Sequence, residues 1–341
     1  MKTIQKYVPG IAVSLMIAVF AKFLESLLPI PLIGASVIAL FLGTFLNVFW
    51  HPQLLLPGLK FTSKKLLKIA IILLGLSLNV NTIIKVGKMS LVVMTFTLLT
   101  CFGIGHFIGK WLKLNWKLSN LISAGTGICG GSAIAALAPV IDADDTDIAY
   151  AMSATFIFDM VMILAFPFLG RAMGLSDMAY GLWAGTAVND TSSVVAAGFA
   201  YSESAGNFAT MVKLTRTLSI IPVTIIFAII STHIKQKKTA LNNTVISEKK
   251  KFNFLSSFPW FIIGFLALAA INSMGFVPLS FSSTAKDVSK FIMVASLGAI
   301  GLNTDLKKMI KSGARPMLHG FIISALVVIV AIIVEYFMGI A

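Results

Sequence analysis

The sequence predicts an all-α, polytopic membrane protein, a single transmembrane domain over residues 1–341, and three observations carry that expectation. The chain is 57% hydrophobic and only 12% charged, with a mean hydropathy of +0.94, whereas soluble domains carry about 25% charged residues. Apolar runs of about 20 residues, long enough to cross roughly 30 Å of hydrocarbon, recur along its whole length. Basic residues concentrate in alternate breaks between these runs, at Lys60 to Lys68, Lys110 to Lys117, Lys235 to Lys251 and Lys307 to Arg315, as cytoplasmic loops require. The net charge of +14 therefore records topology, and no nucleic-acid partner is expected.

Taken in order, eleven membrane segments are predicted, near 8–24, 32–50, 66–82, 88–109, 118–141, 148–170, 178–200, 207–232, 254–275, 286–302 and 316–338. The first has a basic start but no small-residue cleavage site, so it is expected to be a retained helix and not a cleaved signal. With Lys2 and Lys6 inside, the N-terminus is cytoplasmic and the C-terminus outside. Lys85 and Lys88 are then exceptions on the outer side, where DADDTD (142–147) and YSESAGN (201–207) form acidic or neutral loops. The polar stretch 234–251 is a cytoplasmic loop within the one domain. Cys101 and Cys129 both lie in apolar segments and form neither a disulfide framework nor a zinc spacing.

Residues 125–131 read GTGICGG, so Gly125, Gly127 and Gly130 match the G-x-G-x-x-G of dinucleotide-binding loops. That motif needs a preceding strand and a βαβ unit, and here it sits inside a membrane-length apolar stretch. Nucleotide binding is therefore rejected, and no cofactor is expected. Backbone left unsatisfied in hydrocarbon is costly, so glycine-rich breaks belong where protein or a water-filled cavity covers them. One reading is close helix packing. The other is a break at Gly125, Thr126, Gly127, Cys129, Gly130 and Gly131, after which a half-helix from about Ser132 offers free N–H groups and a positive end to an anion.

A second small-polar stretch holds Asn189, Asp190, Thr191, Ser192 and Ser193 at membrane depth. Five consecutive polar side chains cannot face lipid, so they either bond neighbouring helices or line a cavity. Asp159 stands alone in an apolar run, and Lys213 and Arg216 lie three apart on one helix face. These two bases either balance the acids or contact an anion directly, Arg through its bidentate fork and Lys as a point charge. Asp159 and Asp190 are the candidate carriers of a coupling ion, H⁺ or Na⁺. His106 and His319 are expected to be structural. Among the familiar nucleophile, zinc-protease and P-loop motifs none occurs, so an enzyme is not expected.

Two internal echoes stand out. AGTGICGGSAIAA (124–136) repeats as AGTAVNDTSSVVA (184–196), and LLGLSLN (73–79) as LGAIGLN (297–303). Transporters carry such symmetry, with interrupted helices at corresponding positions marking the binding site. If both members of the first pair cross the membrane, they run parallel and not inverted, unless one is re-entrant.

AGTGICGGSAIAALAPVI, GLWAGTAVNDTSSVVAAG and ATMVKLTRTLSIIP, in that order and spacing, resemble the YeiH-like family of bacterial membrane proteins, to which sulfate export is ascribed. The resemblance runs from about Pro57 to Pro222, the outer helices fitting only in pattern. The family is in turn similar to the superfamily of bile-acid symporters and cation/proton antiporters. The resemblance implies inverted repeats, a panel and a core domain, crossed interrupted helices, and a place in the bacterial inner membrane. It further implies that 124–139 is one crossing helix. Where the family pattern has a His-Glu pair and a later Gln, this chain has Asn189, Asp190 and Ser193, which puts proton coupling or substrate choice in question. The expected function is a secondary transporter of a small anion, such as sulfate or an organosulfonate, by alternating access. A Na⁺- or H⁺-coupled cation antiporter is the alternative within transport, and a membrane sensor or scaffold the alternative outside it. The expected partners are the anionic solute, the lipid bilayer, Na⁺ or H⁺, and a second copy of the chain as a candidate homodimer.

Overall fold

The computed structural model describes residues 6–27, 35–49, 53–242, 260–303 and 313–341, with the side chains of Asp145 and residues 235–242 outside that description. Among the described residues the chain is helical throughout, without strands. The helices are α1 (Val8–Leu27), α2 (Ala35–Phe49), α3 (Leu56–Phe61), α4 (Leu67–Leu74), α5 (Val80–Leu99), α6 (Gly105–Trp111), α7 (Trp116–Ala124), α8 (Gly131–Leu137), α9 (Asp145–Ala172), α10 (Asp177–Ala187), α11 (Thr191–Tyr201), α12 (Glu203–Thr217), α13 (Ile220–Asn242), α14 (Trp260–Ser273), α15 (Leu279–Leu302) and α16 (Ala314–Phe337). Wide π-turns join α3 to α4 (Thr62–Leu66) and α5 to α6 (Thr100–Ile104), so each pair runs on as one rod. Among the described residues five rods are long and apolar enough to cross a bilayer by themselves, including Val80–Trp111 and Glu203–Ile234. The chain is a multi-pass, all-α membrane protein.

The helices sort into two bundles. In the first, α15 packs on α1, α2 and α4, and α14 packs on α4. Glycines let these rods approach closely: a Cβ on Gly10 would lie 2.7 Å from Gly58 Cα, and one on Gly301 2.0 Å from the Leu40 carbonyl. In the second bundle, α9 packs on α7, α11 and α16, while α12 packs on α5, α10 and α11. The bundles meet where Val37 and Leu40 of α2 pack with Ala196 and Ala200 of α11. At one end of that seam, Glu203 pairs with both Lys286 and Lys290.

The two echoed segments depart from the expected topology. Asn115, just before α7, donates through Nδ2 to Asp147 Oδ1 at 2.9 Å, and Lys117 Nζ donates to the Asp142 carbonyl. The start and the end of segment 118–141 therefore lie at one face of the bundle. Segment 178–200 does the same at the other end of α9. There the Tyr180 and Tyr201 rings stack at 3.8 Å, Tyr180 OH donates to the Ala197 carbonyl at 3.0 Å, and Ser202 Oγ donates to Asp177 Oδ1 at 2.7 Å. Both segments are re-entrant hairpins, entering from opposite faces because α9 spans the 28 residues between them.

This corrects two expectations. Segments 118–141 and 178–200 do not cross, because their Gly-rich and Asn-Asp breaks let the chain reverse. The acidic run 142–147 consequently lies at the face that carries Lys117, not at the opposite one. The parallel-orientation problem disappears as well: the echoed segments are inverted.

One further boundary moves. The predicted loop 234–251 begins as helix, since α13 continues to Asn242 through a stretch of good helix formers without Gly or Pro. Residues 243–251, like 304–312 with Lys307, lie outside the described residues.

Candidate functional site

Each hairpin is built from two half-helices with a break between them. In hairpin 1, α7 ends in a π-turn over Gly125–Cys129, closed by Gly130 N–H donating to the Gly125 carbonyl at 2.8 Å. Gly130 then takes φ +65° and ψ −133°, a conformation that L side chains rarely adopt. The chain reverses there, and α8 begins at Gly131. The break is thus a hinge, as the dense glycine pattern predicts, and not merely a packing stripe. In hairpin 2, α10 ends at Ala187, and Val188 and Asp190 are extended at ψ 136° and 149°. Asp190 Oδ2 accepts from Ser192 N–H at 2.9 Å, capping α11, and Ser192 Oγ also donates to it.

The hairpins reach far enough to meet. At 1.5 Å per residue the 11 residues of α10 span about 16 Å, and α7 with its π-turn about 21 Å, against roughly 30 Å of hydrocarbon. The tips touch: a Cβ on Gly130 would lie 2.9 Å from both Cβ and Oδ1 of Asp190. The internal echo pairs these same two positions, 60 residues apart.

Four charged side chains hold the tips. Arg216, fully buried, donates from Nη2 to the Thr126 carbonyl at 2.6 Å, from Nε to Gly127 O at 2.7 Å and from Nη1 to Val188 O at 3.3 Å. Lys213, also fully buried, donates to the same Val188 carbonyl at 2.9 Å. Both bases thus sit on the carbonyl-bearing, electronegative ends of the incoming half-helices, α7 with its π-turn and α10. Asp159, 2% exposed, lies at the opposite kind of end. It accepts from Asn189 N–H at 3.0 Å and from Asp190 N–H at 3.2 Å, at the start of α11. The four charges are matched to backbone dipoles. Among the described residues, no ion pair joins the bases to the acids.

The structure therefore gathers Thr126, Gly127, Gly130, Asp159, Asn189, Asp190, Ser192, Lys213 and Arg216 at one place. Gly125 packs on the side, where its Cβ would meet Thr155. Cys129 and Ser193 are buried, whereas Gly131, Asp190 and Thr191 are half-buried and Ser132 is exposed. A Cβ on Gly131 would meet nothing within 4 Å, whereas Ala133 and Ile134 of the same turn are buried and Ala133 N–H donates to the Cys129 sulfur. Two buried acceptors at the tips, Thr126 Oγ1 and Asn189 Oδ1, have no hydrogen-bond partner. His319 is buried with Nε2 3.2 Å from Ser119 Oγ.

Some participants carry no sequence signal. The Val188 carbonyl is shared by both bases, yet an aliphatic side chain says nothing about its own backbone. Cys101 lies against Gly127, 3.1 Å from where its Cβ would be. Its π-turn is invisible to periodicity, although such turns recur at functional sites. Ser324 Oγ accepts from Asn189 Nδ2 at 3.4 Å. A lone serine within ISALVV is a weak hint of a polar contact at that depth.

Residues 9–339 match the family described as conserved hypothetical protein 698. A UPF0324 membrane protein of Clostridium tetani is 54% identical over 340 residues, covering 98% of this chain and 99% of the relative. A UPF0324 membrane protein of Streptococcus pyogenes is 40% identical over the full length of both chains. One of Streptococcus mutans is 38% identical over 97% of each. These similarities agree with the resemblance to YeiH-like membrane proteins.

Proposed function

The chain belongs to the conserved hypothetical protein 698 family of membrane proteins, and we propose that it is a secondary transporter that moves a small anion by alternating access. One observation carries this reading. Of the four half-helix ends that meet at the tips, three are covered by the chain's own charged side chains. The fourth, the start of α8, is an electropositive end met by the neutral Cys129 sulfur and by no charged side chain, with Gly131 half-buried and Ser132 exposed. Thr126 Oγ1, buried in the π-turn of hairpin 1 without a protein partner, is a further hydroxyl of the tip. Unwound backbone at the membrane centre between oppositely entering hairpins is the arrangement that transporters use to expose one site to either side in turn.

Sulfate and organosulfonates are the candidate cargo, being small, oxygen-rich anions suited to N–H and hydroxyl donors. The face bearing Lys110, Lys113 and Lys117 is the cytoplasmic one on the positive-inside rule, with the protein in the inner membrane of a bacterium.

A second reading rests on Asp190. It is a half-buried carboxylate between the hairpin tips, and proton-coupled movement of another solute would pass through it. Flux in proteoliposomes separates the two. Labelled sulfate or sulfonate accumulation that falls at least tenfold in Gly130→Ala supports the anion reading. Proton flux without any anion, abolished in Asp190→Asn, supports the second. No flux with any of these solutes removes both.

A further inference from the structure

Carbonyl ends of broken helices are where transporters coordinate monovalent cations, because an unwound carbonyl carries both its own dipole and the negative end of its helix. This chain builds such a place from two directions. Thr126 and Gly127 present their carbonyls from hairpin 1 and Val188 presents its carbonyl from hairpin 2. All three converge within hydrogen-bond reach of cationic groups at 2.6 to 3.3 Å. The cations are delivered by a third element, α12, from adjacent positions on one face.

We propose that Lys213 and Arg216 are tethered occupants of a monovalent-cation site between the two hairpins, so that no metal ion binds there and the hairpin tips assemble without Na⁺. The ammonium of Lys213 is a compact point charge of the kind a hydrated-metal site accepts, and the Arg216 fork spans both hairpins at once. Neither base is placed against a carboxylate, as a simple charge-balancing pair would be. Both are fully buried, so a vacated position has no bulk water to satisfy the carbonyls.

Two consequences follow. In wild type the site is full, and coupling to Na⁺ at this place is excluded. In Lys213→Ala the Val188 carbonyl keeps only the 3.3 Å contact from Arg216 Nη1, and the space left by the lysine side chain is expected to take up a metal ion.

The test is thermal unfolding of the full-length protein in detergent, in choline chloride against LiCl, NaCl and KCl at matched ionic strength. Wild type is expected to melt at the same temperature in all four. Lys213→Ala is expected to melt lower in choline, and to gain a saturable rise of about 2–4 °C with one of the metal cations. If that variant unfolds during extraction in choline, its recovery when extracted in a metal chloride supports the proposal, and failure in every salt counts against it. A saturable rise of wild type in NaCl would overturn it, as would a folded Lys213→Ala that melts alike in all four salts. The melting readout needs no flux. A protein that melts as expected yet moves no anion would lose the transport reading and keep its tethered cations.

Discussion

Hairpins 1 and 2 share a sequence pattern but differ at the one position where they touch. The echo sets Gly130 opposite Asp190. Asp190 caps the half-helix that follows it, and Asp159 binds the N–H groups before it. Gly130 has no side chain to cap α8, and the first turn there is met by the Cys129 sulfur, which accepts from Ala133 N–H, and by no carboxylate. Both hairpins are fastened at their bases, hairpin 2 by the stacked Tyr180 and Tyr201 and the Ser202–Asp177 bond and hairpin 1 by the Asn115–Asp147 and Lys117–Asp142 bonds. The outgoing arm of hairpin 1, however, is only 7 residues long. The outgoing arm of hairpin 2 starts on a carboxylate cap, and that of hairpin 1 starts without one. On the transport reading proposed above, the end without a charged cap is the place expected to take an anion.

The comparison can be broken first at the glycines. Gly130→Ala places a Cβ 2.9 Å from Asp190 and demands a left-handed backbone from alanine, a strain of about 1–3 kcal/mol before any steric term. It is expected to abolish flux and lower the melting temperature. Gly131→Ala, one residue on, adds its methyl to open space and is expected to fold as wild type, any effect falling on flux alone. Equal losses of stability in both would show that the tip is not shaped as described.

The acids come next. Asp159→Ala leaves the Asn189 and Asp190 N–H groups without their acceptor, at about 1–3 kcal/mol. Its melting temperature is expected to fall well below that of Ser132→Ala, which removes an exposed hydroxyl and should change apparent affinity for the transported anion without changing stability. At the base of hairpin 2, Tyr180→Phe loses the bond to the Ala197 carbonyl, worth about 1 kcal/mol. That variant is expected to melt slightly earlier and transport normally.

How much of this was legible in the sequence follows from what each signal encodes. Hydropathy marked the apolar segments because lipid demands them, and the glycines and polar residues marked both breaks because lipid forbids them. Periodicity could not reveal whether the chain continued across or turned back at a break, since α7 with α8 and α10 with α11 are together as long as a spanning helix. That decision lies in contacts between distant residues: Lys117 with Asp142, and Tyr180 with Tyr201. The same holds for the bases. Their depth was evident from Lys213 and Arg216 lying in an apolar run, but their acceptors are backbone carbonyls of other segments, which leave no trace in side-chain identity.

The central claim, that the two hairpins enter from opposite faces and meet at their tips, is open to one direct measurement. Single cysteines replacing Lys113, Asp142 and Ser202, in a background with Cys101 and Cys129 changed to serine, can be labelled with an impermeant maleimide in sealed vesicles of either orientation. Positions 113 and 142 are expected to label from the same side, and position 202 from the other. Labelling of 113 and 142 from opposite sides would mean that segment 118–141 crosses the membrane, and would contradict the account.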